Sequence, residues 1–425
     1  MNDPNGLVYY RGTYHLFFQH NPLGVNWGNM TWGHAISSDL VHWRQVANAL
    51  EPDRLGTVFS GSAVIDTQNT AGFQTGEEQV IVLIYTAAGS TSDESQGQPF
   101  TQCIAYSYDG GHAFTKYGQN PVLGHLVGEN RDPKVVWHAP TQRWIMVLYK
   151  EQATYAFFCS PDLKHWTHLH DIDMPGCREC PDLFEMPIDG EEAETRWVFT
   201  AANGRYLIGA FDGARYTPKE GPLQVDFGAN YYAVQTYSGV PDGRRIQLAW
   251  MNEGKFPGMP FNQQMSFPCE LRLRKYAEGL RLTRQPVQEL ASLRQEAQEW
   301  QDLMLHPCTD ALIECEGDLF EIHAQIEVGI RSEVTLMIRG EPLVYNALTH
   351  SLSCLGQECD LLPVHGCIDL HLLIDRTSIE VFAQAGKVSF TSCFLPDPAN
   401  THIALRGSDA RILELRVYPL RSAWE

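Results

Sequence analysis

The sequence predicts an all-β chain, a five-bladed β-propeller followed by a C-terminal β-sandwich. Three observations carry this. A unit of roughly 45 to 70 residues recurs five times, each opening on a polar or acidic entry to an apolar strand. Each entry strand is followed by a second strand rich in β-branched and aromatic residues. No helical periodicity separates the units, and blade-sized self-similarity is the mark of radial repeats. A β-sandwich with a coincidental repeat is the alternative.

The entry strands are residues 3–10, 60–66, 132–138, 181–187 and 230–237. The second strands are 14–19, 80–86, 144–149, 197–200 and 246–251. Third strands follow at 32–36, 102–106, 155–159 and 206–210. Three of these lead into one recognisable turn, Ser38-Asp39-Leu40-Val41-His42-Trp43, Ser107-Tyr108-Asp109-Gly110-Gly111-His112-Ala113-Phe114 and Ser160-Pro161-Asp162-Leu163-Lys164-His165-Trp166. Phe211-Asp212-Gly213-Ala214 is a weaker fourth copy. Asp and Gly suit tight turns, and the aromatic residue returns on an outer strand. The fifth unit is less regular, with an outer strand expected within 265–273.

Residues 284–303 change character, being rich in helix formers and lacking β alternation, which predicts a linker with a short helix. From Leu312 to Pro419 alternation returns, as in an antiparallel sandwich. The expected division is therefore a propeller over 1–283, a linker over 284–303 and a sandwich over 304–425.

Hydrophobic residues make up 44% and charged residues 19%, ordinary for a globular protein, and the formal net charge is -20. Such a surface repels phosphate backbones and anionic membranes, so neither nucleic acid nor membrane is an expected partner. A neutral substrate is easier to admit. No run of about 18 apolar residues is present. Met1-Asn2-Asp3-Pro4 shows no basic, apolar leader. The 11 cysteines are odd in number and scattered, which reads as buried thiols and favours a reducing compartment; a leader removed in maturation would imply secretion. Cys177 and Cys180 form one CxxC without a second pair or suitably spaced histidines. Neither a metal nor a cofactor is expected. Oligomeric state stays open.

Inner strands of a propeller line its axis, so their entry residues converge at one mouth. Asp3 enters the first blade, Asp132 the third, and Glu179 with Asp182 the fourth. Carboxylates gathered in one funnel are costly unless they serve something. Two carboxyl groups facing one bond suit glycosidic cleavage, one giving a proton to the leaving oxygen and one attacking the anomeric carbon. A third steadies the charge that develops on the sugar ring. Arg131 beside Asp132 helps keep that aspartate ionised. Singly, Asp-Pro-Asn-Gly and Arg-Asp-Pro read as turns; their joint placement points to a site.

Met1-Asn2-Asp3-Pro4-Asn5-Gly6, Arg131-Asp132-Pro133 and Glu179-Cys180-Pro181-Asp182 resemble the three signature motifs of glycoside hydrolase family 32, which holds invertases, levanases and inulinases. Phe18 to Pro22, Trp27 to Ala35, Phe59 to Ala63 and Trp250-Met251-Asn252 resemble stretches that line its fructosyl pocket, and Asp375 to Phe382 a motif of its sandwich. The resemblance implies Asp3 as nucleophile, Asp132 as transition-state stabiliser and Glu179 as general acid/base. It implies that Asn2, Gln19, Trp27, Phe59, Ser60, Arg131, Asp132, Cys180 and Trp250 hold a terminal fructose. Cys180 is expected to pack beside Glu179 and help keep that acid's pKa raised. His20 and His34 are expected to make structural hydrogen bonds, since no Ser or Cys nucleophile motif accompanies them. The implied reaction is double displacement with the carboxyls of Asp3 and Glu179 about 5 to 5.5 Å apart. An exo-acting fructanase is favoured over an invertase or a fructosyltransferase. A non-catalytic fructan-binding protein and an inverting pentose-chain hydrolase are the competing classes. Family members carry a short segment before the first motif, so ring closure is a question for the structure.

Overall fold

The computed structural model describes residues 1–259, 261–307 and 314–424. Leu312, the expected start of the sandwich alternation, lies outside them. Two compact units emerge. The first comprises Met1–Gln224, Tyr232–Trp250 and Gly258–Arg281; the second comprises Val225–Tyr231, Met251–Pro257 and Leu282–Glu425.

The first unit is the propeller. Four blades are antiparallel sheets of consecutive strands that open on Pro4–Tyr10, Thr57–Asp66, Arg131–His138 and Asp182–Ile188. The fifth is built from Tyr232–Thr236, Arg245–Met251 and Cys269–Tyr276, with Gly279–Pro286 paired to the last. Its sheet continues into the fourth through a parallel step, Ile188↔Leu273. Central strands are buried on both faces, as in Val80-Ile81-Val82-Leu83-Ile84, which reads as a continuous apolar run. The core lies between neighbouring blades. One cluster joins Val8, Phe17 and Trp32 to Ile81 and Tyr85, and another joins Ile145 and Phe157 to Phe199 and Tyr216.

The repeated turn has one physical cause. Asp39 Oδ1 accepts from the backbone N–H groups of Val41 and His42, at 3.0 and 2.8 Å. Asp162 Oδ1 does the same for Lys164 and His165, at 3.0 and 2.9 Å. Asp109 and Asp212 cap their turns likewise. In the first and third blades the indole of Trp43 or Trp166 donates to the carbonyl of Leu40 or Leu163, whose φ values are 65° and 64°. An aspartate that satisfies a turn's free N–H groups recurs because the blade geometry recurs.

Polar groups lace the blades together around the axis. Ser62 Oγ donates to Pro133 O at 2.8 Å, joining the second and third blades. Lys134 Nζ lies 3.1 Å from Asp182 Oδ1 and donates to Thr236 O at 2.8 Å, joining the third, fourth and fifth. Thr236 N donates to Asp182 Oδ2 at 2.6 Å. Gln235 Nε2 donates to Gly61 O, and its Oε1 accepts from Leu7 N at 3.2 Å. Two backbone bonds between Leu7, Tyr9 and Ser238 complete the closure of the fifth blade on the first. Asp182 therefore does not join the funnel of carboxylates expected from the sequence. Its side chain is 0% exposed and spent on Lys134 and Thr236.

The second unit is the sandwich. Phe320–Ile338 and His402–Pro419 pair along most of their length, with a register break between Val328 and Glu333. The first half of Phe320–Ile338 pairs with Cys367–Asp375 and the second half with Glu341–Asn346. The long strands thus run through both layers, around a core that includes Phe320, Ile338, Tyr345, Leu372 and Phe390. Arg284 is buried within this unit, with Nη1 at 2.5 Å from Asp226 Oδ2 and Nη2 at 3.4 Å from Glu380 Oε2. The sequence predicts a linker with a short helix over 284–303. A 3-10 helix spans Gln288–Leu293, but Gln298–Leu305 is a strand, because pairing with the strand His402–Pro419 overrides local helix propensity.

Candidate active site

Local backbone distortions aim the candidate residues. Three inner strands carry irregular steps at their entries. Ser60 is the extra residue between the pairs Phe59↔Thr86 and Gly61↔Tyr85. Asp132 lies in the step between Arg131↔Tyr149 and Lys134↔Val147, and Ala233 in that between Tyr232↔Trp250 and Gln235↔Leu248. Such bulges re-aim side chains at the rims of sheets. Asp132, Glu179 and Cys180 all take left-handed conformations, with φ of 64°, 56° and 40°. A non-glycine residue pays about 1–3 kcal/mol for such strain, which clusters at functional sites.

A pocket of ≈ 350 Å³ opens where these entries meet. Asn2, Asp3, Gln19, Trp27, Phe59, Ser60, Arg131, Asp132, Glu179 and Trp250 all line it. These are the candidates named from the sequence, save Cys180. The walls also include Met30, Thr91, Phe100, Glu129 and Tyr232, which the sequence did not single out.

Asp3 is held by its strand and by side chains. Gln19 N donates to Asp3 O at 3.0 Å, while Asn2 Nδ2 and Ser60 Oγ donate to the carboxylate oxygens at 3.0 and 2.5 Å. Arg131 Nη2 donates to Glu179 Oε1 at 2.6 Å, and its Nε is 3.9 Å from Asp132 Oδ2. Its guanidinium stacks over Tyr149 at 5.0 Å. Tyr232 donates to Glu179 Oε2 at 2.5 Å. Gln19 reaches back to Val58 O at 3.0 Å, a framework bond. Trp27 is 68% exposed, so core packing does not explain it; it meets Phe59 edge to face.

Cys180 departs from expectation. Its thiol lies 3.6 Å from both Asp3 Oδ2 and Asp132 Oδ2, and its N–H donates to Asp132 Oδ2 at 3.0 Å. Glu179 and Cys180 are consecutive left-handed residues. Burial, with Asp132 and Asp3 beside it and Glu179 near enough to add to the rise, pushes the thiol well above its ordinary pKa, so it is a neutral donor to the two aspartates.

The electrostatics differ from expectation too. Burial alone would raise Glu179, but hydrogen bonds from Tyr232 and Arg131 prevail and hold it below the ordinary glutamate range. Asp132 is the raised group. Burial pushes it up to about 7, with Arg131 opposing and Asp3 and Glu179 adding to the rise. His34 shares a 3.0 Å hydrogen bond with His15 and stacks on Phe17. Burial first, then His15, lowers it to about 3, which leaves it neutral and structural. His20 is also lowered by burial.

Among the described residues one grouping has metal-ligand character, Glu321 with His323 and His371 in the second unit. Arg294 already donates to both Glu321 oxygens at 2.6 Å. The two imidazoles stack at 4.0 Å, and the Nε2 atoms of both already meet Glu321 Oε1, at 3.0 and 2.8 Å. The cluster fits an ion-pair network better than a metal centre. The ten described cysteines are all free thiols.

Comparison with known proteins gives a consistent picture. Residues 1–286 match the family model described as Glycosyl hydrolases family 32 N-terminal domain, and residues 289–419 match Glycosyl hydrolases family 32 C terminal. A levanase of Bacillus subtilis (strain 168) is 36% identical, covering 100% of this chain and 69% of the relative. The crystal structure of an exo-inulinase from Aspergillus awamori superposes with a TM-score of 0.88 at 28% identity, covering 100% of this chain and 96% of that one. A fructofuranosidase from Schwanniomyces occidentalis complexed with fructose gives 0.87 at 27% identity, covering 99% and 96%.

Proposed function

The chain belongs to glycosyl hydrolase family 32, and on that premise we propose that it is a retaining β-fructofuranosidase releasing terminal fructose from fructans or sucrose. The observation that carries this reading is the gathering of Asp3, Asp132 and Glu179, from three different blades, in one pocket. Its size suits one sugar ring, and its walls combine charged groups with the aromatic faces of Trp27, Phe59 and Trp250.

In this reading Asp3 attacks C2 of the fructosyl unit. The bonds from Asn2 and Ser60 fix its carboxylate and so reduce the reorganisation needed to reach that carbon. Glu179 gives its proton to the leaving oxygen and then takes one from the water that releases fructose. Because Tyr232 and Arg131 hold Glu179 low, the proton-donating form prevails on the acid side of neutrality, which is where turnover is greatest. Asp132 is raised by burial and by its neighbouring carboxyls, and it contributes through what a bound, reacting sugar does to it. A positive charge growing on the sugar ring favours its ionised form, so its attraction is stronger in the transition state than in the ground state.

The test is direct. Asp3→Asn and Glu179→Gln each lower turnover of sucrose and inulin by about 10³-fold or more while leaving the fold intact. With methanol as acceptor, retention yields the methyl β-fructofuranoside. Near-normal fructose release by either variant, or the α product, overturns the assignment.

A further inference from the structure

The loop between the second and third strands of the first blade, residues 21–30, is built around one side chain. Asn21 Oδ1 accepts from Leu23 N at 2.9 Å and from Asn29 Nδ2 at 3.3 Å, and Asn21 Nδ2 donates to Asn26 O at 2.6 Å. These polar staples fix the arch from within and leave three of its large apolar side chains outside. Leu23 is 80% exposed, Val25 52% and Trp27 68%. A second loop, in the fifth blade, adds Met259 and Phe261 at 45% and 44%. Asn262 Nδ2 donates to Val25 O at 3.1 Å and holds the two loops together. Five large apolar side chains thus stand in water on two joined loops, an arrangement that marks a binding surface.

The chemistry of the surface narrows its occupant. Neither 21–30 nor 258–267 contains a single Asp, Glu, Lys or Arg, in a chain that is 19% charged. Their polar side chains are instead neutral, the Ser266 hydroxyl and amides that include Asn26, Asn29 and Asn262. Apolar faces interspersed with neutral donors and acceptors fit a polyhydroxylated chain that presents both C–H faces and hydroxyls. They offer nothing to a phosphate or an acidic peptide. Trp27 belongs to both the arch and the pocket, so the surface continues the pocket outward. Ordering the arch in advance removes part of the entropy cost of binding.

We propose that this rim is the track for the fructosyl units of a fructan beyond the scissile bond, so that the chain acts better on long fructans than on sucrose. The proposal rests on the reading of the pocket as a β-fructosidase site.

The experiment compares Leu23→Ser and Phe261→Ser with the unaltered chain on sucrose, on β-2,1-linked inulin and on β-2,6-linked levan. Each variant raises KM about tenfold for at least one polymer, the transfer cost of one aliphatic or aromatic contact. Both leave kcat and KM for sucrose unchanged, which also shows that they fold. Equal losses on sucrose and polymer overturn the proposal, as does an unchanged KM on both polymers. Sedimentation tests the other occupant, a second copy of this chain. A dimer that dissociates on Leu23→Ser overturns the proposal. If the unaltered chain releases no fructose from any substrate, the reading of the pocket fails first, and the proposal with it.

Discussion

Replacing Tyr232 by Phe removes one hydroxyl and tests the electrostatics of the site. That hydroxyl donates to Glu179 Oε2, whose partner oxygen is taken by Arg131 at 2.6 Å. A hydrogen bond to a charged group is worth about 1.5–3 kcal/mol. Each pKa unit corresponds to about 1.36 kcal/mol. The Glu179 side chain is 28% exposed, so water replaces part of the lost bond and the lower end of the range applies. Loss of the donor destabilises the ionised form, and the pKa of Glu179 rises by about one unit. Glu179 acts as acid, so kcat/KM declines as pH rises through that pKa. In Tyr232→Phe the decline therefore begins about one unit higher, and the optimum extends toward neutrality. The assay is the pH profile of kcat/KM for fructose release from sucrose, which reports the free enzyme. Three carboxyls share the pocket, so the limb belongs to the cluster, and its displacement relative to the unaltered chain is the quantity to read. An alkaline limb that stays in place, or shifts toward acid, refutes the reasoning.

Two further outcomes concern stability. Asp182→Asn leaves the Lys134 ammonium without its counter-charge in a fully buried setting, and it lowers stability by about 3–5 kcal/mol. Burial already lowers the pKa of Lys134, and losing the aspartate lowers it further; the unfolded chain then binds the extra proton, so stability rises with pH across the alkaline range in thermal melts. A deficit that is flat with pH, or grows as pH rises, sinks this account. The described cysteines are all free, so a reducing agent leaves the melting temperature unchanged; a clear fall on reduction contradicts it.

The parts of the site legible in the sequence are those whose local chemistry is distinctive. Asp3, Asp132 and Glu179 precede Pro or Gly turns at strand entries, and a blade repeat places such entries together. The aspartate turns were legible for the same reason, since a carboxylate capping its own turn is a short-range event. Tyr232 was not legible. It acts on Glu179 across 53 residues, from a stretch that reads as ordinary strand. The one available signal was its position at the entry of the fifth inner strand. Asp182 shows the converse error. Its spacing matches the funnel residues, but alternation along the strand turns it toward Lys134, and only the ring of blades reveals that partner. The effect expected of Cys180 on Glu179 was misjudged, because Tyr232 and Arg131, both remote from that acid in sequence, hold it low while the thiol meets Asp3 and Asp132. The strand Gln298–Leu305 was hidden because its partner lies more than a hundred residues away.

The join between Leu7, Gln235 and Ser238 has a kinetic consequence. Each of the first four blades is a meander of consecutive strands, so its contacts are local and can form early. The seam must bring together segments separated by 228 residues, and its entropy cost falls due only when the circle shuts. Contacts made that late are absent from the folding barrier. Weakening the seam, as in Gln235→Ala, should then speed unfolding while leaving refolding rates nearly untouched. The lifetime of the assembled ring should respond to that junction more than its rate of formation does.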